Sequence, residues 1–349
     1  MQDRLQVVGV IGAGNFGTTV ANILSANVDR VLLFSRDPEV VRKINSDHRN
    51  KDQSLAENVV ATNDPERVCA ECRLVVPILP SATFREALLP FASHLKPYHI
   101  VIHGTKGFDV VDIDLQQKNP TVTRAHLKTM SEVIKEETQV VRIGVLSGPN
   151  LSTEIRKGLP TASVVASDFD EVIIMGAEVL SNPKFKIYGS HDIIGTEFAG
   201  ALKNMIAIGT GVINGLSMGK NIEALFLTRG LREMIIIGQA LGADAKTFFG
   251  TAGIGDLIAT ATSDDSRNFR FGKYLSAGKS RQEIESTSGE LTEGVRTLHL
   301  MYHISRHYKL DVPIVEMLFA VVFQDLPIER AIAYLLDYPY SLDVDYLNL

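Results

Sequence analysis

Residues 7–24 read Val7-Val8-Gly9-Val10-Ile11-Gly12-Ala13-Gly14-Asn15-Phe16-Gly17-Thr18-Thr19-Val20-Ala21-Asn22-Ile23-Leu24. The apolar, β-branched start reads as a buried strand, and the pattern after Gly17 reads as a helix. Between them stands G-x-G-x-x-G. In that setting Gly12 makes the tight turn, Gly14 lets the backbone approach a pyrophosphate, and Gly17 lets helix and strand pack closely. The helix N-terminus adds N–H groups and the positive end of its dipole. The stretch predicts a dinucleotide-binding βαβ unit; the bland alternative is an ordinary Gly-rich turn.

Working outward, short apolar runs alternate with helical patterns. The runs are Val31–Phe34, Val59–Thr62, Leu74–Leu79, Ile100–His103, Val140–Leu146, Ala162–Ala166 and Lys186–Tyr188. Continuous apolar strands between helices predict a largely parallel sheet covered on both faces, an α/β, Rossmann-like, doubly wound domain. After about residue 190 the strands stop and helical patterns run to Tyr334, so a second, all-α domain is expected. The expected division is 1–190 for dinucleotide binding and 191–349 for substrate and catalysis. The polar stretch Asp109–Arg124 reads as a surface excursion.

The end of the second strand bears on the cofactor. NAD sites place Asp or Glu there for the ribose 2′-OH. This chain has Phe34-Ser35-Arg36-Asp37. Ser35 and Arg36 suit a 2′-phosphate, and Asp37, one position late, reads as the start of the next helix. NADP is favoured over NAD.

Composition bounds the rest. The 349 residues carry 35 Lys+Arg against 41 Asp+Glu, a formal charge of −6, with 45% apolar and 22% charged residues. That balance supports globular domains and argues against nucleic acid as a partner. Apolar runs are short, such as Met317–Phe323, so no membrane span is expected. No signal-peptide layout or lipidation motif is read, and two cysteines are too few for a disulfide scaffold, so a reducing cytoplasm is expected. Cys69-Ala70-Glu71-Cys72 closes a helix instead of opening one, which argues against a redox motif. His299, His303 and His307, at i, i+4, i+8, read as a solvated or interface face instead of a metal site.

Ile193–Gly215 reads as a long helix with an apolar stripe of Phe198, Leu202, Met205, Ile206 and Ile213. Another face carries Thr196, Gly200, Lys203, Ala207, Thr210 and Asn214, small or polar apart from one charge. Lys203 is there either a solvated lysine or one projecting into a cleft. A Gly-rich loop, 250–255, then places Asp256 near a helix start, with Thr260 one turn later on the same face. Asp256 also reads as an N-cap. Ser266-Arg267-Asn268 offers a hydroxyl, a cation and an amide, a set suited to an oxyanion such as phosphate.

Together, Glu197…Leu202-Lys203-Asn204, Asn221…Thr228-Arg229-Gly230-Leu231…Glu233-Met234, Gly253-Ile254-Gly255-Asp256-Leu257 and Ser266-Arg267-Asn268 resemble glycerol-3-phosphate dehydrogenases of the NAD(P)-dependent bacterial type. Val76…Pro80-Ser81, Thr105-Lys106-Gly107 and Ser147-Gly148-Pro149 extend the likeness. The resemblance implies interconversion of dihydroxyacetone phosphate and sn-glycerol 3-phosphate, a supply for glycerophospholipid synthesis, and a homodimer. It implies Lys203 as catalytic lysine and Lys106 as a residue touching cofactor and substrate. Gly148, Asn150, Asp256, Ser266, Arg267 and Asn268 fall at the substrate; Lys203, and Thr260 on the Asp256 face, are expected there too, with Asp256 also catalytic. Gly12, Gly14, Asn15, Phe16, Gly17, Ser35, Arg36, Ser152, Arg267, Leu291 and Glu293 fall at the cofactor. No metal is implied. The chain departs from the family pattern at Asn150-Leu151-Ser152 and at Leu291-Thr292. Two other readings stand beside this one: a dehydrogenase of the same architecture acting on another hydroxy acid, and a non-catalytic NADP-binding sensor.

Overall fold

The computed structural model describes residues 6–115, 117, 120–288, 292–339 and 343. Eight strands form one sheet in the order Val59–Thr62, Arg30–Phe34, Val7–Ile11, Leu74–Pro77, Ile100–His103, Arg142–Ser147, Thr161–Ala166, Phe185–Ser190. All eight runs read from the sequence are in it. Val8 lies opposite Val31 on one side and Leu74 on the other, and Val10 opposite Leu33 and Val76, all parallel. The order reverses at Val7–Ile11, the switch point at which doubly wound sheets bind ligands beyond the strand ends. Arg142–Ser147 pairs antiparallel with Thr161–Ala166, and Phe185–Ser190 follows the latter in parallel. The apolar runs predict burial on both faces but carry no sign of this change of direction. Val8, Val10, Leu33, Val76, Ile102 and Leu146 form the core of this layer.

The chain divides into two compact units. One comprises Met1–Asp109 and Thr129–Ile193, the other Val110–Lys128 and Ile194–Leu349. A single cut near residue 190 therefore becomes three crossings. The excursion after Asp109 is not a plain surface loop. Pro120, Val122 and Leu127 are buried, and Arg124 donates to the carbonyls of Leu127 and Leu241 and lies over the Phe198 ring. Those partners belong to the helical unit, and no local pattern announces them.

In the helical unit, Ile193–Gly215 is buried without a break from Gly195 to Ile213. The small-residue face is thus covered, and the solvated reading of Lys203 is corrected. A helix buried all round is a core helix. Its closest crossing is with Arg267–Ser276: a Cβ on Gly272 would lie 1.9 Å from the Ile208 carbonyl oxygen, and one on Gly211 2.0 Å from that of Phe269.

Glu233, on the Lys220–Ala240 helix, is fully buried and accepts the backbone N–H groups of Ile314 and Val315 at 2.6 and 2.9 Å. These are first-turn donors of the Pro313–Phe323 helix, which have no intrahelical acceptor. Burial pushes the Glu233 carboxyl up to about 8, although both N–H groups draw it down.

His299 and His303 are not a solvated face. They pack against Phe319 with ring centroids at 5.7 Å in each case, and burial pushes His299 down to about 4. Cys69 and Cys72 are buried at the end of Pro65–Glu71, and burial pushes both thiols up to about 12. Among the described residues, no helix is long and apolar enough to cross a membrane.

Candidate active site

The Gly loop leaves the central strand as the spacing predicts. Gly12 has φ +112°, and a Cβ there would meet the Ile78 carbonyl oxygen at 2.4 Å. A Cβ on Gly17 would fall 1.9 Å from the Gly12 carbonyl oxygen, so this position tolerates no side chain. Gly14 faces open space. It immediately precedes the Asn15–Ser25 helix, whose first N–H groups lack intrahelical acceptors. Room at Gly14 beside those donors fits a pyrophosphate. Asn15 is exposed, while Phe16 packs against the sheet core.

Two residues that sequence reasoning missed hold this loop. Asn50 Nδ2 donates to the Ala13 carbonyl at 2.9 Å and to Thr18 Oγ1 at 2.7 Å. Gln53 Nε2 donates to the Asn15 carbonyl at 2.9 Å. Both side chains are buried on a two-stranded hairpin, Arg49–Asn50 with Gln53–Ser54, too short to leave a periodic signal.

At the end of the second strand, the Ser35 N–H donates to the Thr62 carbonyl. Arg36 is exposed and, among the described residues, has no carboxylate partner. Asp37 caps the Pro38–Asp47 helix by accepting the Glu39 N–H at 2.9 Å. Its carboxylate is committed to that cap, as expected of a residue one position late.

Further along the same unit, Lys106 Nζ donates to the Gly148 carbonyl at 2.8 Å. Gly148 has φ +146°, and a Cβ there would press on Ser163 at 3.0 Å. Asn150 Nδ2 donates to Ser163 Oγ, but Asn150 Oδ1 is buried with no hydrogen-bond partner. A buried unpaired acceptor costs roughly 1–3 kcal/mol, so a donor from a ligand fits it. Ser152 begins the short Ser152–Arg156 helix and is half-buried. Lys106, Gly148 and Asn150 are thus linked, Lys106 through its bond to Gly148, and Gly148 and Asn150 through Ser163.

The helical unit holds the other cluster. Lys203 is 4% exposed and Asp256 1%. Lys203 Nζ forms a short ion pair with Asp256 Oδ1 and donates to Thr260 Oγ1 at 2.5 Å. Thr260 Oγ1 donates in turn to Asp256 Oδ1 at 3.3 Å. A π-helical turn, Thr251–Gly255, delivers Asp256 to the first position of the Asp256–Ala261 helix. Such turns frequently mark functional sites. Asp256 is therefore not the N-cap that its position proposed, because its carboxylate faces Lys203.

Ser266 caps the Arg267–Ser276 helix, accepting the Phe269 N–H at 3.3 Å. Arg267 at that helix start is exposed, whereas Asn268 is buried. Asn268 Nδ2 donates to Asn204 Oδ1, and Asn268 Oδ1 accepts the Gly294 N–H, both at 2.9 Å. Glu293 opens the Glu293–Tyr308 helix. Leu291 lies outside the described residues. Asn204 and Gly294 were not among the expected site residues. Asn204 adjoins Lys203 in sequence, but its partner is 64 residues away.

The described residues thus hold a buried ammonium–carboxylate–hydroxyl cluster in one unit and an open Gly loop at a helix N-terminus in the other. The family model for the C-terminus of NAD-dependent glycerol-3-phosphate dehydrogenase matches residues 192–333, and that for the N-terminus residues 7–173. The chain belongs to the NAD-dependent glycerol-3-phosphate dehydrogenase family. A glycerol-3-phosphate dehydrogenase [NAD(P)+] of Saccharophagus degradans is 39% identical, with 97% of this chain and 92% of that protein covered. One of Leuconostoc mesenteroides is 36% identical, with 95% and 98% covered. The crystal structure of the glycerol-3-phosphate dehydrogenase from Coxiella burnetii superposes with a TM-score of 0.84 at 28% identity, covering 95% of this chain and 99% of its own. For this member of the glycerol-3-phosphate dehydrogenase family, the Gly loop lies in the first unit and the buried lysine cluster in the second.

Proposed function

We propose that this chain interconverts dihydroxyacetone phosphate and sn-glycerol 3-phosphate by hydride transfer with NAD(P)H, NADPH being preferred. The observation that carries the reading is Lys203, buried and bonded to both Asp256 and Thr260. A bound reduced nicotinamide supplies the hydride for the ketone carbon of the substrate. Negative charge then develops on the carbonyl oxygen. The Lys203 ammonium stabilises that charge and passes a proton from Nζ to it. Asp256 and Thr260 orient the ammonium as acceptors. In the reverse direction Lys203 Nζ takes the hydroxyl proton as base.

Ser266, Arg267 and Asn268 hold the substrate phosphate, and Lys106, Gly148 and Asn150 also bind the substrate. Gly12, Gly14, Asn15, Phe16, Gly17 and Ser152 bind the cofactor, as do Lys106, Arg267, Leu291 and Glu293. Ser35 and Arg36 take the 2′-phosphate. The product feeds glycerophospholipid synthesis, in the cytoplasm, by a homodimer. Size-exclusion chromatography with light scattering tests the dimer.

The discriminating assay is NADPH oxidation with dihydroxyacetone phosphate, unphosphorylated dihydroxyacetone and hydroxypyruvate. Turnover of the first alone supports the reading. Preference for hydroxypyruvate transfers it to a hydroxy-acid dehydrogenase, and turnover of none leaves the sensor. Two variants sharpen the assignment. Losing a charge-assisted phosphate contact costs roughly 1.5–3 kcal/mol, on the order of ten- to a hundredfold in kcat/KM. Arg267→Ala is therefore expected to erode the preference for dihydroxyacetone phosphate over dihydroxyacetone by that factor. Unchanged selectivity in steady-state kinetics rejects the phosphate role. Arg36→Ala is expected to raise KM for NADPH about tenfold or more and leave NADH within about twofold, since only NADPH carries the 2′-phosphate. Equal changes for both cofactors reject the NADP preference.

A further inference from the structure

Asn204, Asn268 and Gly294 come from three different helices, Ile193–Gly215, Arg267–Ser276 and Glu293–Tyr308. Asn268 spends both ends of its amide on the other two, donating to Asn204 Oδ1 and accepting the Gly294 N–H. The approach at Gly294 leaves no room for a side chain. A Cβ there would fall 2.5 Å from Asn268 Oδ1 and 2.6 Å from the Asn204 carbonyl oxygen. Asn204 is 6% exposed and Asn268 8%, so water does not compete freely for these bonds.

We infer that Asn204 is a positioning residue of the dehydrogenase reaction, acting through Asn268. The inference rests on the proposed function for its reaction, but its geometry does not. Lys203 and Asn204 are successive on one helix, so their side chains leave in directions about 100° apart. One reaches Asp256 and Thr260, the other Asn268. The same helical turn thereby sets the proton donor and the helix that begins with Ser266 and Arg267. An amide is the group this junction requires, because it donates from nitrogen and accepts on oxygen at once. The bond to Asn204 uses one of the two Asn268 N–H hydrogens and orients the other. The bond from Gly294 ties the helix start that carries Glu293 to the same point. Asn204 thus couples the phosphate-anchoring residues and Glu293 to the lysine helix through Asn268.

The test uses Asn204→Ala, Asn268→Ala, their double variant and Asn204→Asp in the full chain. Steady-state kinetics give KM for dihydroxyacetone phosphate and for NADPH. The chain contains no Trp, so NADPH fluorescence also reads cofactor binding directly, without turnover. Asn204→Ala is expected to raise KM for both ligands and to weaken NADPH binding, each by about three- to tenfold, the size of a lost buried hydrogen bond. The double variant is expected to be no worse than Asn268→Ala, the non-additivity of residues acting as a unit. Asn204→Asp keeps an oxygen facing Asn268 and is expected to recover NADPH binding. A rise in KM for dihydroxyacetone phosphate alone, additive with Asn268→Ala, overturns the inference in favour of direct substrate contact. A lowered melting temperature with unchanged KM and unchanged NADPH binding overturns it in favour of a purely structural role. If the unsubstituted chain turns over no dihydroxyacetone phosphate, the proposed function fails instead, and the NADPH titration alone decides the coupling.

Discussion

Lys203→Met is expected to lower kcat by on the order of 10²–10⁴-fold, the usual size of a general acid–base contribution. Methionine keeps most of the side-chain volume and removes the transferable proton. NADPH binding is expected to stay near that of the unsubstituted chain, because the Gly12–Gly17 loop proposed to take the pyrophosphate belongs to the other unit. The substitution also leaves Asp256 buried without its ammonium, and a broken buried pair costs roughly 3–5 kcal/mol. Lys203→Arg separates the two effects. Arginine keeps a cation opposite Asp256 but does not exchange its proton near neutral pH. Both variants are therefore expected to be slow, with Lys203→Arg the more stable. If Lys203→Met retained more than about a tenth of kcat, well outside that range, the lysine would be structural and Lys106 the leading acid. Recovery of kcat in Lys203→Arg would leave charge stabilisation as its sole role.

The largest stability effect is expected at Glu233. Glu233→Ala strands the N–H groups of Ile314 and Val315, both of which now bond to the carboxyl. Two buried unsatisfied donors cost roughly 2–6 kcal/mol together, enough to threaten a unit of ordinary stability. Differential scanning calorimetry reads the loss, and a change below about 1 kcal/mol, less than one stranded donor, rejects this account. The pH dependence carries a definite sign. Burial holds the carboxyl at about 8, above its ordinary 4.5, so the fold favours the protonated form. Its stabilisation is full below about pH 4.5 and is lost as pH rises through about 8. Glu233→Gln does not titrate. The melting temperature of the unsubstituted chain relative to Glu233→Gln is therefore expected to fall between pH 6 and pH 9. A constant difference would show that Glu233 does not titrate in that window.

What could be read without coordinates was whatever local chemistry dictates. Gly12 and Gly17 announce themselves because only glycine survives a carbonyl oxygen at 2.4 and 1.9 Å from its missing Cβ. Seven of the eight strands are legible because burial on both faces demands uninterrupted apolar runs, whereas Phe185–Ser190 alternates buried and exposed residues along its first half; Asp37 is legible as a cap because of its place before Pro38. Lys203, Asp256 and Thr260 were legible as residue types, the last two as neighbours one helical turn apart. That Lys203 meets them, 53 and 57 residues later, was decided by packing. The same holds for the Asn268–Asn204 bond, for the Asn50 and Gln53 supports of the Gly loop, and for the Glu233 cap on a helix 81 residues away. It holds too for Arg124, whose excursion joins the helical unit by way of Leu241 and Phe198. Periodicity, turn chemistry and capping act over a few residues, so they are written in the sequence. A buried polar group instead takes whatever partner the folded chain brings within about 3 Å, and that choice exists only once the helices have crossed.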